Sequence, residues 1–562
     1  MWRCENKVYV LKDLKLYFVF FTFNRINIQI FSMNKNLFVF WILLFISTSI
    51  FAQLNPALDV QHYKFSLQLN DSNNIIKGEA TISIKSKQNI NEVILDLVNK
   101  RSDGKGMTVT RVTRNGSAIS FSQDAQHLNI NDTATKDTEN LYTVTYEGEP
   151  ADGLIISKNK FGHRTFFGDN WPNRAHNWLP CNDHVSDKAS VEFIVTAPEP
   201  YQVVANGLQT EETNLPGHLK LTHWKEDVPL SPKIMVIGVS DFAVNYVGNV
   251  GCIPVYSWIY PEDKDSGFAH YAIAKNILPW YIQHVGPYAY KKLANVQSKT
   301  IFGGMENANT IFYFEQSVND KALEALMAHE IAHQWFGNSA SETDWPHVWL
   351  SEGFATYMTH LYHEEKYGVD SFNNRMRTDR DSVIAFSKRR FTPVVDTTEK
   401  NNLMRLLNIN SYQKGGWVLH MLRRKVGDSL FWKSIRAYYA TYAGRNANTD
   451  DLKNIFEEVT HQNLETFFKQ WLYTAGQPGL NVEWSYNVTK KSVMIKIEQL
   501  QSNLFEFPLQ IEFYDNNKSN IETIEVKDKI TAKEISLNQK PEKIILDPNV
   551  NLLFEGEERE VK

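Results

Sequence analysis

Two histidines four residues apart, His329 and His333, stand in the run MAHEIAHQWFGNSASETDWPHVWLSEGF that spans Met327 to Phe354. On a helix that spacing puts both imidazoles on one face. Two ring nitrogens then converge on a single point, as a zinc ion requires. Glu330 projects beside the same point. Eighteen residues separate His333 from Glu352, enough to end one helix, turn, and start a second whose carboxylate completes a two-His, one-Glu set. Three protein ligands leave a fourth tetrahedral position for water, the pattern of a catalytic zinc site. A chance match to so short a motif usually falls on a loop or a solvated face. Here Asn319 or Asp320 can cap a helix start, and Ala322, Leu323, Leu326, Ile331 and Ala332 supply an apolar face. Gly337-Asn338 supplies a stop, and WLSEGF reads as the start of a second helix.

Two more segments carry side chains suited to the same chemistry. TIFGGMENANT runs from Thr300 to Thr310. Gly303 and Gly304 remove side chains where another backbone must come close. A strand edge over Gly303, Gly304, Met305, Glu306 and Asn307 can pair with a bound peptide by β-addition. Glu306 then sets a fixed carboxylate beside the substrate, suited to a protonated α-amine; the bland alternative is a β-turn with a solvated Glu. In NSYQKGGWVLHMLR, Tyr412 precedes a Lys-Gly-Gly step. A phenol at a zinc site can donate to a developing oxyanion, although a buried structural Tyr is the commoner case.

These residues need elements to hold them. The chain has 562 residues, 43% hydrophobic and 22% charged, with a formal net charge of -5 and no long run of one sign. That is ordinary globular material for several domains, and nothing in it points to nucleic acid or an anionic surface as a partner. Residues 1–52 read as a hydrophobic N-terminal segment. Met33 is a plausible true start, Leu37–Ile46 an apolar signal core and Ala52-Gln53 a cleavage point, which predicts an exported protein; an uncleaved anchor is the rival reading. Residues 53–248 alternate as strands, with Tyr63, Phe65, Leu67 and Leu69, then Ala80, Ile82 and Ile84. Within them Asp169–Ser190 is rich in Trp, Pro and Asn, and reads either as a packed loop or as a segment reaching the cleft. Residues 249–477 are mainly helical, with helices expected at Ala269–His284, Lys321–Phe336, Ser351–Tyr367, Lys414–Val426, Ser429–Ala443 and Asp450–Ala475. Residues 478–562 return to alternation, at Val493, Ile495 and Ile497 and at Leu509, Ile511 and Phe513, and suit a small β-sandwich. The fold class is multidomain α+β, with a thermolysin-like domain in the middle. Cys4, Cys181 and Cys252 form no CxxC pair; a Cys181–Cys252 bridge is possible, but two unpaired buried thiols are expected. Asp344 and Asn338 are candidates to orient metal ligands, whereas His347, His360, His363 and His420 are read as packed or surface residues.

Taken together, GGMEN at Gly303–Asn307, HEIAH at His329–His333, Glu352 nineteen positions on, and Tyr412-Gln413-Lys414-Gly415 resemble the aminopeptidase N family of zinc metallopeptidases. Leu179–Ala189, LPCNDHVSDKA, is similar to that family's segment in its β domain. The resemblance implies one zinc ion per chain on His329, His333 and Glu352, with Glu330 as general base and Tyr412 stabilising the tetrahedral intermediate. It further implies that Glu306 binds the free N-terminus of a peptide substrate, and that a saddle-like β domain precedes the thermolysin-like domain and the sandwich. Trp171 stands where relatives carry a Gln or Glu that shares the amine, with Asp169 and Asn170 as its neighbours. Many relatives add a helical domain after the sandwich, so the cleft here is expected to be more open or closed by a partner subunit. An epoxide hydrolase with a long apolar tunnel and a thermolysin-like endopeptidase are alternative uses of the same site; Glu306 argues against the second. A β-rich binding protein with an inert site is opposed by the intact set of Glu330 and Tyr412 with the three ligands.

Overall fold

The alternating apolar positions between residues 58 and 240 form three sheets in a computed structural model that describes residues 54–515 and 518–561. The hydrophobic segment over residues 1–52 lies outside them. The largest sheet runs Leu208–Leu215, Leu219–Leu230, Ala189–Pro198, Leu58–Gln68, Ile76–Ser86, Glu139–Glu149, Gly106–Arg114, Ser117–Ala118. Its neighbours are antiparallel except Leu58–Gln68 and Ala189–Pro198, which run parallel with His62 opposite Ser190. Tyr63, Phe65, Leu67, Ala80, Ile82 and Ile84 are all buried, so the period-two pattern marks the face turned to the core. That core also takes in Phe166, Phe167, Val203 and Val239 from a four-stranded sheet.

A five-stranded sheet follows, in the order Ala243–Val250, Ile253–Ile259, Leu293–Ser298, Thr310–Phe314, Gly304–Met305. Its three central strands are parallel, which requires a crossover. Helices α1 (Lys264–Tyr271) and α2 (Ala274–His284) supply the first one. A single helix over Ala269–His284 was expected. The chain instead starts earlier and breaks at Ala272-Ile273, where bonds such as Lys275 N–H to the Ala272 carbonyl at 3.1 Å tighten the turn.

The longer helices that follow are α3 (Leu323–Ala332), α4 (Trp349–Tyr367), α5 (Val369–Ser387), α6 (Gly415–Val426), α7 (Asp428–Tyr442) and α8 (Thr449–Thr460). The helix expected over Asp450–Ala475 is also divided. Asn448 and Asp451 cap its start reciprocally, but His461 takes φ +56° and ends it. A short helix at Glu465–Phe468 then runs into a π turn at Lys469–Tyr473. After Gly479 two sheets of four and three strands bury Val493, Ile495, Ile497, Leu509, Ile511 and Phe513 in the core shared with the helices. Cys181 is a buried free thiol as expected; Cys252 is free but exposed, at the turn between two strands of the five-stranded sheet. Among the described residues no helix is long and apolar enough to cross a membrane.

Candidate active site

Helix α3 presents His329, Glu330 and, at its C-terminal cap, His333. Neither Asn319 nor Asp320 caps it as expected: the cap position is Ala322, with no side-chain capping bond, and Asp320 accepts the Ala322 N–H at 2.8 Å in the turn before it. The α-helical run is shorter than the expected Lys321–Phe336, because turn bonds carry the chain from His333 to Phe336. Gly337 then adopts φ +107°, and a Cβ there would lie 2.1 Å from Ser351 Oγ. Ser351 itself sits 3.0 Å from His333 Nδ1, which also faces the Phe336 carbonyl at 3.2 Å. A proton held on Nδ1 by these acceptors leaves the Nε2 lone pair for a cation. Helix α4 begins at Trp349, two residues before the expected start, and carries Glu352 in its first turn.

His329 Nε2, His333 Nε2 and one Glu352 oxygen form a triangle with sides of 3.1, 3.3 and 3.4 Å. Tetrahedral donors about 2.0–2.1 Å from zinc stand about 3.3–3.4 Å apart, so this donor set fits the ion. The Glu352 oxygen is buried with no hydrogen-bond donor, as a ligand atom would be. Among the described residues these are the ones whose ligand atoms converge in this way; His347, His360, His363 and His420 do not join them. His347 meets Thr449, His360 meets Asp379, His363 lies beside Arg375, and His420 donates to the Val550 carbonyl.

The set opens into a cavity of about 380 Å³ that is also lined by Glu306, Glu330 and Tyr412. Gly304–Met305 is the edge of the five-stranded sheet, with Gly304 opposite Tyr313. A Cβ on Gly304 would lie 2.2 Å from a Glu330 carboxylate oxygen, whereas Gly303 meets nothing closer than 3.9 Å. Only the second glycine is therefore demanded by close approach. Gly303, Gly304, Met305 and Glu306 line the cavity; Asn307 is fully buried outside the lining. Tyr412 sits on a π turn, Asn410–Lys414, with its ring stacked 6.0 Å from that of His329. The turn is held near α4 because Gly353 and Gly415 face each other, and a Cβ on Gly353 would meet Gly415 at 2.9 Å.

Burial raises the pKa of Glu330 well above the carboxylate range, and the nearby Glu306 and Glu352 add to it. Burial likewise raises Glu306, with Glu352 adding and His333 opposing. Tyr412 is pushed up by burial and by the same three carboxylates. Burial also acts to raise Glu352, but the adjacent histidines hold it below its usual range. Three buried carboxylates in one cavity make a place for positive charge.

Several residues that set this geometry were not singled out from sequence. Gln334 donates to the Glu306 carbonyl at 2.9 Å and accepts the Asn309 N–H at 2.7 Å. Asn338, considered as a support for the ligands, instead donates to the same Glu306 carbonyl at 2.6 Å. Asp344, considered likewise, caps the turn before α4 by accepting the Trp345 N–H. Lys188, the basic residue of LPCNDHVSDKA, donates to the Asn338, Ser339 and Arg445 carbonyls. Asp169 is occupied by Arg174, Thr300 and the Ile301 N–H, and Asn170 by the Pro232 and Met235 carbonyls. Of the stretch Asp169–Asn170–Trp171, Trp171 alone reaches the cavity.

The sequence matches the Peptidase M1 N-terminal domain over residues 59–232 and the Peptidase family M1 domain over residues 270–471. It is 25% identical over 476 residues to "Probable aminopeptidase 2" of Sulfurisphaera tokodaii and 24% identical over 485 residues to "Leucyl aminopeptidase" of Saccharolobus solfataricus. Each alignment takes in 81% of this chain and 59% of the relative. Human "Glutamyl aminopeptidase" is 27% identical over 355 residues, 58% of this chain and 36% of the relative. Legionella pneumophila aminopeptidase A, solved in complex with aspartic acid, superposes with a TM-score of 0.78 at 15% identity, over 89% of this chain and 60% of that one. The first stretch covers most of the strand-rich part, the second covers most of the helices together with the converging His329, His333 and Glu352, and the chain belongs to peptidase family M1.

Proposed function

We propose that the chain is a zinc-dependent aminopeptidase that removes single residues from peptides with a free N-terminus. The observation that carries this is the Glu306 carboxylate standing in the same cavity as the His329–His333–Glu352 triangle. His329, His333 and Glu352 would hold a zinc ion, which would supply Lewis acidity to a water and to the scissile carbonyl. Glu330 takes the proton from the attacking water and returns it to the leaving amine. The Tyr412 hydroxyl donates to the oxyanion of the tetrahedral intermediate. Glu306 receives the α-ammonium, and the Gly304–Met305 edge pairs with the substrate backbone. A continuing acyl chain has no ammonium to offer Glu306, which restricts cleavage to the first bond. We also propose that residues 1–52 direct export, since they carry the charge and apolar pattern of a signal segment; N-terminal sequencing of the mature protein tests this, and a cytosolic protein with intact residues 1–52 would refute it.

Hydrolysis of aminoacyl-arylamides, compared with the same compounds acetylated on the amine and with chelator present, tests the activity. Cleavage of the free amines alone, abolished by chelator and restored by zinc, is expected. Equal cleavage of acetylated substrates would remove Glu306 as the anchor and point to an endopeptidase.

A further inference from the structure

Once the proposed roles are assigned, the polar side chains of the cavity are used up. His329, His333, Glu352, Glu330, Glu306 and Tyr412 serve the metal, the water, the amine and the oxyanion. What remains of the lining is Gly303 and Gly304 with five apolar side chains: Trp171, Phe302, Met305, Leu326 and Leu407. Trp171 is fixed edge-on between Phe302 at 6.4 Å and Trp345 at 5.6 Å. The polar groups next to it in sequence, on Asp169 and Asn170, are bonded elsewhere in the protein. No Lys or Arg is among the described residues that line the cavity.

Resting on the aminopeptidase reading, we propose that Trp171, Phe302, Met305, Leu326 and Leu407 form an apolar subsite that selects an uncharged aliphatic or aromatic N-terminal side chain such as Leu, Met or Phe. An acidic side chain would bring a fourth carboxylate among Glu306, Glu330 and Glu352 with no side-chain cation to pair it. A basic one would be attracted by those carboxylates, but all three are engaged, and its charge would be desolvated against the apolar wall. The acidic residue named for the human relative and for the Legionella structure therefore does not carry over to this chain.

The test is kcat/KM of the zinc-loaded enzyme on Leu, Met, Phe, Ala, Glu and Lys arylamides, together with calorimetric binding of the free amino acids to zinc-loaded and zinc-free protein. Leu, Met and Phe are expected to exceed Ala by about 10- to 100-fold, the range for a few methylenes in an apolar pocket. Glu and Lys are expected to trail Ala, and leucine to bind more tightly than glutamate or lysine in both forms. Trp171→Ala should lower the Phe-to-Ala ratio at least about tenfold. Trp171 is buried, so Leu326→Arg, at a half-buried position on α3, provides a second route. It should raise the Glu-to-Leu ratio at least about tenfold by supplying the missing cation. A preference for Glu or Lys, a flat profile, or a Glu-to-Leu ratio unmoved in Leu326→Arg overturns the subsite while leaving the aminopeptidase intact. No cleavage of any free amine by zinc-loaded enzyme overturns the aminopeptidase reading, and the subsite with it.

Discussion

At the scale of single residues the site sets the converging His329, His333 and Glu352 donors apart from the Glu330 carboxylate. Glu330 stands apart from the ligand triangle, so it can be changed without removing a ligand. On the proposed mechanism, Glu330→Gln is expected to match the native protein in metal analysis while kcat falls by about 10²–10⁴-fold, the usual contribution of a general base; near-normal kcat would remove it from that role. His329, His333 and Glu352 were legible from sequence because helical spacing fixes where two histidines point, and an offset of nineteen leaves room for one turn between helices. Gln334, Ser351 and Lys188 were not, because nothing in their spacing shows which carbonyl or ring nitrogen they meet in the folded chain.

At the scale of elements, spacing between segments is set by side chains that are missing. The edge strand lies directly on Glu330 through Gly304. Gly304→Ala is expected to retain zinc but to lower kcat/KM by about 100-fold, the cost of roughly 1 Å of misplacement. Gly303→Ala, with no atom closer than 3.9 Å to the new Cβ, should cost less than about tenfold. Comparable losses in both variants would mean that the glycines serve substrate access and not the seating of Glu330. Helices were readable as periodic apolar runs, while their interruptions at Ala272-Ile273 and His461 were not. Neither break has a Gly or Pro at the residues where it occurs, so no residue type there announces it in the sequence.

At the scale of the molecule, buried charge joins the strand-rich portion to the helical one. Lys233, from the first, and Glu342, from the second, meet at 2.6 Å with both side chains buried. Lys233→Met is expected to cost about 3–5 kcal/mol in urea unfolding, because it strands a buried carboxylate, and Lys233→Met/Glu342→Leu should recover most of the loss. A double variant no better than the single one would show that the pair contributes net stability. Asp187 offers a pH readout of the same framework. Burial lifts its pKa to about 7, against weaker help to the charged form from the Val60 N–H and Lys87. A raised carboxylate favours the folded state below its ordinary pKa, and that stability is lost as pH rises from about 4 through 7. Asp187→Asn cannot ionise, so its melting temperature should gain on the native protein between pH 5 and pH 8; an unchanged difference would mean that Asp187 is ionised throughout.

The double grip of Gln334 and Asn338 on the Glu306 carbonyl has a further meaning. Both donors are neutral amides in the turn that follows the helix of His329 and His333, so the proposed amine anchor and the candidate metal donors are spaced by one segment. The two amides that set this spacing do not titrate. Acid therefore changes the protonation of the cavity's carboxylates without protonating the groups that hold Glu306 at its distance from the candidate metal donors.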